Sequence, residues 1–227
     1  SFFFGNGDGS PDGSVNDIKI ENIKIDCVND AEYVGPHGII TTNSHELQTF
    51  EVSNCELVDN GAGTNSTVFT FRETATKLLG DITLLSNLII VNESTIRIID
   101  LMNMSINNEV NILYNTTINN YISDTDISIN NFCYIPDNES VINTNIENNI
   151  FYTNKNIAPS NTFNFLHNSN SQTIGVFDSN LIYSTYEGDV LWDNNDINTP
   201  TNELFNIDPE FKDPDNGDYR IYATSPC

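Results

Sequence analysis

Val52-Ser53-Asn54-Cys55-Glu56-Leu57-Val58 sets out a phrase that the chain repeats: an apolar residue, a polar one, Asn, then alternating apolar side chains. Ile20-Glu21-Asn22-Ile23-Lys24-Ile25 precedes it, and Leu85-Ser86-Asn87-Leu88-Ile89-Ile90 follows. Further matches are Ile129-Asn130-Asn131-Phe132-Cys133-Tyr134, Ile146-Glu147-Asn148-Asn149-Ile150-Phe151 and Phe177-Asp178-Ser179-Asn180-Leu181-Ile182-Tyr183. The stretch near Asn108 and Asn115 fits more loosely. Asn22 to Asn54 is 32 residues, Asn54 to Asn87 is 33, Asn131 to Asn149 is 18 and Asn149 to Asn180 is 31. Asn87 to Asn131 is 44, which reads as two turns of about 22 residues in a stacked repeat.

A repeat of this length marks a solenoid. Each unit alternates with period 2 and carries no helical stripe, so its elements are strands. Leucine-rich repeats share the period but need several Leu at fixed offsets, which this chain lacks. Asn suits the corners of such a coil because it tolerates the left-handed backbone conformation. Stacked Asn side chains can also hydrogen-bond in ladders along the axis. The alternation predicts that Ile23, Ile25, Leu57, Leu88, Ile90, Ile150 and Ile182 face inward and stack on the neighbouring turns.

Composition agrees. The chain of 227 residues has 13 Phe and 9 Tyr, enough to fill a core, where a disordered chain would be poor in them. Asn, Ile, Thr and Ser are abundant and helix formers scarce, a bias to strand and turn. Lys and Arg number 8 against 32 Asp and Glu, for a net charge of −24. Such a surface repels phosphate backbones, so no nucleic-acid partner is expected. Calcium is the natural counter-ion. No apolar run approaches a membrane span. The absence of an initiator Met and of a signal peptide reads as a mature or excised fragment. Cys27, Cys55, Cys133 and Cys227 form no CxxC and no zinc spacing. They read as small core fillers, with one disulfide as the alternative.

Gly38-Ile39-Ile40 through Asn54-Cys55-Glu56-Leu57-Val58-Asp59-Asn60-Gly61, and the closing run Asp208-Pro209-Glu210-Phe211, Asp213-Pro214, Asn216-Gly217-Asp218-Tyr219-Arg220-Ile221 and Ser225-Pro226-Cys227, resemble the pectate-lyase-like superfamily of right-handed parallel β-helix proteins. The resemblance implies an all-β, right-handed parallel β-helix of about seven to nine coils, found outside the cell or at its surface. It implies three regions: a Gly/Asp-rich loop segment over residues 1–16, coils over 17–200 and a closing segment over 201–227. That superfamily holds lyases, glycosidases, adhesins and surface proteins, so fold does not choose among them.

The lyase chemistry of the family uses Lys or Arg as base beside a neutralised uronate carboxylate. Lys77 and Arg97 are 20 apart but lie on opposite sides of Asn87, so they do not occupy equivalent positions. A glycosidase would need carboxylates on adjacent coils, and Asp17, Glu32 and Asp59 lie near the best-matched coil. No catalytic residue is singled out. The expected function is therefore a non-catalytic extracellular module, an adhesin, sheath or fibre segment that contacts carbohydrate. A polysaccharide lyase or glycoside hydrolase is the alternative.

Asp8, Ser10, Asp12, Ser14 and Asn16 present oxygens at alternate positions around Gly13, as a calcium loop does. Lys19 stands where the twelfth, acidic ligand belongs. Asp213, Asp215 and Asp218 form a second acidic turn. Tyr33 and His37 beside the best coil are the candidate carbohydrate contacts. Asn65, Asn92, Asn103, Asn115 and Asn138 head glycosylation sequons, a number that composition alone yields. The closing segment is expected to fold over the last coil as a cap. Phe2, Phe3 and Phe4 predict end-to-end contact with another chain or with preceding coils. If the 8–16 loop binds calcium only when folded, millimolar calcium raises the melting temperature; an unchanged melting curve removes the site.

Overall fold

The computed structural model describes residues 2–4, 17–28, 38–43, 47–60, 66–72, 79–92, 95–102, 109–120, 131–135, 143–153, 164–168, 176–184 and 202–227. Residues 5–16 and 29–37 lie outside this description, and with them the expected ligands Asp8 to Asn16 and the contacts Tyr33 and His37. The side chains of Phe2, Phe3 and Phe4 are likewise outside the description.

Strands come in threes. The first turn has β1 (Phe2–Phe4), β2 (Asp17–Glu21) and β3 (Lys24–Val28), and the second β4 (Gly38–Asn43), β5 (Leu47–Ser53) and β6 (Glu56–Asn60). The third has β7 (Ser66–Arg72), β8 (Leu79–Leu85) and β9 (Leu88–Val91), and the fourth β10 (Thr95–Met102), β11 (Glu109–Leu113) and β12 (Thr116–Asn119). The fifth has β13 (Asn131–Ile135), β14 (Asn143–Glu147) and β15 (Ile150–Thr153), and the sixth β16 (Asn164–Asn168), β17 (Val176–Asp178) and β18 (Leu181–Ser184). Then come β19 (Leu204–Phe205), β20 (Phe211–Asp213), a 3-10 turn at Pro214–Asn216 and β21 (Asp218–Ile221).

Every third strand pairs in parallel. Sheet A stacks β1-β4-β7-β10-β13-β16, sheet B stacks β2-β5-β8-β11-β14-β17, and sheet C stacks β3-β6-β9-β12-β15-β18-β19. The chain is a three-sheet parallel β-helix, with six full turns and a seventh strand in sheet C among the described residues. The described residues thus hold six full turns and part of a seventh against the seven to nine coils expected; Asn87 to Asn149 spans two turns, of 28 and 34 residues, and not three. Asn131 is not at a corner: it opens β13 in sheet A, opposite Arg97 and Asn164. The corner between β11 and β12 is Leu113-Tyr114-Asn115-Thr116, the stretch that read as loose.

Each corner from sheet B to sheet C takes two residues. The first has positive φ: Asn22 at 57°, Asn54 at 52°, Ser86 at 55°, Tyr114 at 58°, Asn148 at 56° and Ser179 at 56°. The repeated phrase is therefore two phrases. In its first two appearances the Asn is the left-handed residue; at Asn87, Asn115, Asn149 and Asn180 it is the residue after. Counting from Asn thus starts one position out in part of the chain, and a shift of one flips every side chain to the other face. The third residue beyond the left-handed one faces the core, and these positions are Ile25, Leu57, Ile89, Thr117, Phe151 and Ile182, all buried. So Ile25, Leu57 and Ile182 point inward as expected. Leu88, Ile90 and Ile150 instead occupy the outer face of sheet C, and Ile23 is 37% exposed.

The core is filled by in-register columns. Phe50, Ile82 and Val110 stack in sheet B. Val52, Leu84, Ile112 and Ile146 run beside them. Phe69 and Ile99 pair in sheet A and are fully buried.

The residue after the left-handed corner turns inward and builds a polar column. The Asn87 side-chain oxygen accepts from the Cys55 amide at 3.0 Å. Asn87 gives its amide N–H and one Nδ2 proton to Asn115 Oδ1, at 3.0 and 2.9 Å. Asn115 does the same to Asn149, at 2.9 and 3.1 Å, and Asn149 to Asn180, at 3.0 and 2.9 Å. Each Nδ2 also reaches the carbonyl of the preceding turn in sheet B: Val52, Leu84, Ile112 and Ile146 in order. The four asparagines are at most 2% exposed. Their steps of 28, 34 and 31 residues are the true turn lengths here.

Asn115→Ala removes the acceptor for two Asn87 donors and strands the Leu84 carbonyl in an apolar interior. Urea unfolding is expected to show a loss of about 3 kcal/mol or more. The half-buried Asn145, which donates to Asn111 on an outer face, is expected to cost about 1 kcal/mol or less on the same substitution.

Candidate functional site

The outer face of sheet C changes character along the axis. In its first turns it carries Lys24, Asp26 and Glu56, with Lys24 paired to Glu56 and Asp26 accepting from Asn60. From the third turn it carries Leu88, Ile90, Ile118, Ile150, Tyr152, Leu181 and Tyr183. Exposed apolar columns of that extent need a cover.

The C-terminal segment supplies one. Asp213 hands over to the turn at Pro214–Asn216, Gly217 takes φ 78°, and β21 returns antiparallel to β20. Phe211 packs edge-on to Tyr152 at 5.2 Å and to Tyr219 at 5.6 Å, while Tyr152 stacks on Tyr183 at 5.5 Å. Ile118 and Tyr152 are buried with Phe211, and the Tyr219 hydroxyl accepts from Asn120 Nδ2 at 3.2 Å. Burial pushes the Tyr152 and Tyr183 phenols above their ordinary range. The segment thus lies along the side of the helix, against sheet C. The expectation that it folds over the last coil is corrected: the apolar patch it buries is lateral.

One column of sheet C is only partly covered beside this segment: Thr116, Ile150 and Leu204 are half-buried, and Leu181 is buried between them. Thr116, Ile150, Leu181 and Leu204 pair rung by rung and form a floor. The left-handed corners Tyr114, Asn148, Ser179 and Asn202 stand along one side. Ile221, Pro226 and Cys227 of the C-terminal segment form the other side. The groove encloses about 590 Å³, within the range of ligand sites. Tyr114 is 58% exposed at its wall. Asn202 Nδ2 donates to Asp178 at 2.8 Å, which fixes its amide. Partial desolvation raises the pKa of the Cys227 thiol, although the residue as a whole is exposed.

Beneath the groove wall the asparagine column ends at Glu203. Its two oxygens accept separately from the Asn180 amide and Nδ2, at 3.1 and 3.3 Å. Burial outweighs these two bonds and raises its carboxyl to about 7.

The expected site residues fall in several places. Asp213 accepts from Asn216 Nδ2 at 3.0 and 2.9 Å. Asp218 is held down at about 2 by the Arg220 guanidinium. Asp213 and Asp218 thus brace the hairpin, and Asp215 is exposed between them. Among the described residues no group of three His, Cys, Asp or Glu side chains is gathered to hold a metal ion. Asp17 accepts from Thr49 at the start of β2, whereas Asp59 is buried within β6, so the two do not converge. Glu32, Lys77, Asn65, Asn103 and Asn138 lie outside the described residues. Two sequons do not suit a glycan. Asn115 is 1% exposed with its Nδ2 inside the column, and Asn92 Nδ2 donates to Asn60 at 2.7 Å. Cys55 is a buried free thiol over the carbonyls of Ile20 and Ser53, and Cys227 is free and exposed. Among the described residues no helix is long and apolar enough to cross a membrane.

The groove was not legible in advance. Its signal is the apolar turn taken by outer positions of sheet C, visible only once the two phrases are aligned on the left-handed residue.

Fold and site define a parallel β-solenoid with a side groove. No family model matches the chain, and no curated protein or solved structure matches it either.

Glu203 carries a pH prediction. Its folded pKa of about 7 exceeds the ordinary 4.5, so the stability it contributes is present at acid pH and lost as pH rises through about 7. Glu203→Gln is expected to flatten that part of the profile. Melting temperatures at about pH 5 and about pH 8 check it: the variant should gain on the native chain toward the alkaline side. A constant difference at both pH values contradicts the assignment.

Proposed function

We propose that the chain is a non-catalytic extracellular or cell-surface module, an adhesin, sheath or fibre segment of the pectate-lyase-like superfamily. The observation that carries this reading is the unbroken asparagine column from Cys55 to Glu203. It ties each turn to the next through buried, doubly bonded amides, so six turns form one stiff rod roughly 25 Å long. That is the mechanical property a spacer or fibre needs. The superfamily assignment rests on the resemblance of the Asn54 to Gly61 coil and of the segment from Asp208 to Cys227. The net charge of −24 keeps such a surface solvated and disfavours anionic partners.

A depolymerisation screen tests the reading. Neutral and uronate polysaccharides are incubated with the protein in calcium and in EDTA. New reducing ends and the absorbance of unsaturated uronates are then followed. The expected result is intact polymer under both conditions. Product formation that grows with time and protein concentration overturns the non-catalytic reading in favour of a lyase or glycoside hydrolase.

A further inference from the structure

We infer that the groove between the left-handed corner ridge and the C-terminal segment binds a neutral oligosaccharide. Three observations meet there. The first is Tyr114. The six other corner residues of this type are Asn22, Asn54, Ser86, Asn148, Ser179 and Asn202, small polar side chains in a conformation that favours Asn. Tyr114 takes the same conformation, φ 58°, and leaves its ring 58% exposed. A bulky residue held there is strained, and such strain persists where a side chain serves a site. Packing does not account for it, since the ring is mostly in solvent.

The second observation is the pattern of the walls. A sugar ring has an apolar C–H face and a rim of hydroxyls. The half-buried Thr116, Ile150 and Leu204 on the floor and the exposed Tyr114 ring offer apolar surface for the face, with Leu181 buried beneath them. Asn148, Ser179 and Asn202 offer amide and hydroxyl groups on successive rungs, about 4.8 Å apart, for the rim. The third is charge. None of the side chains lining the groove is charged, and the protein as a whole is strongly acidic. A uronate or sulfated glycan would meet repulsion with no cation to offset it. A neutral one meets none.

This inference deepens the proposed function by giving the module a carbohydrate contact, and it rests on that reading only for the ligand leaving intact. Saturation-transfer NMR and calorimetry with neutral tri- and tetrasaccharides built from glucose, galactose, mannose and N-acetylglucosamine test it. Trigalacturonate and dodecanoate are the charged and acyl counterparts. The chain is expected to bind at least one neutral sugar and not the other two probes. Tyr114→Asn gives the corner the residue it favours, so its melting temperature should hold or rise while affinity falls about tenfold or more. Tyr222→Ala, an exposed tyrosine that does not line the groove, should bind as the native chain does. Equal affinity in Tyr114→Asn overturns the site while leaving the non-catalytic reading standing. Binding of trigalacturonate or dodecanoate in place of every neutral sugar overturns the ligand class. A sugar that is bound through Tyr114 and cleaved keeps the site and overturns the non-catalytic reading.

Discussion

The buried amide column is the constraint on which the rest depends. A two-residue corner between sheets B and C forces one residue into the left-handed region and turns the next one inward. That inward residue brings a backbone N–H into an apolar interior, where an unmet donor is costly. Asn meets it from the adjacent turn: its oxygen takes the neighbour's N–H and Nδ2, and its own Nδ2 finds a carbonyl of sheet B. The solution works only when the next turn presents the same residue at the same place. The turns therefore keep one register at this corner even though the steps along the column vary between 23 and 34 residues.

The column's two ends show what the repeat requires. At its head Cys55 has no oxygen to offer and donates its thiol to backbone carbonyls instead. At its foot Glu203 stands where another Asn would need a further turn to accept its donors. A carboxylate accepts twice and donates nothing, so it closes the hydrogen-bond chain without a successor. The consequence is a half-buried acid whose charge the site disfavours.

The same register organises the outer surface. Because sheet C is in step from rung to rung, its outward positions line up into columns. One column, Ile118, Tyr152 and Tyr183, is met by Phe211 and Tyr219. The next, Thr116 to Leu204, is left as the floor of the groove. The acidic turn of the C-terminal hairpin then has a mechanical role, with Asp213 and Asp218 engaged by Asn216 and Arg220.

The sequence by itself determined the class of fold. Period-2 alternation, recurring Asn and the lack of helical stripes leave a β-solenoid as the arrangement that buries these Ile, Val and Phe side chains. It also showed that Asn would serve as corner residue and as ladder. It did not show that these are two adjacent positions, since one-letter periodicity treats Asn54 and Asn87 alike. Only the backbone distinguishes a residue with φ 52° from one whose side chain enters the core. Hence Ile25 and Leu57 were placed on the correct face, Leu88 and Ile90 were not, and the corner at Tyr114 passed as irregular. The groove was decided wholly by tertiary structure. It lies between columns that align only when turns of unequal length are stacked, and a segment some hundred residues farther along the chain walls it in.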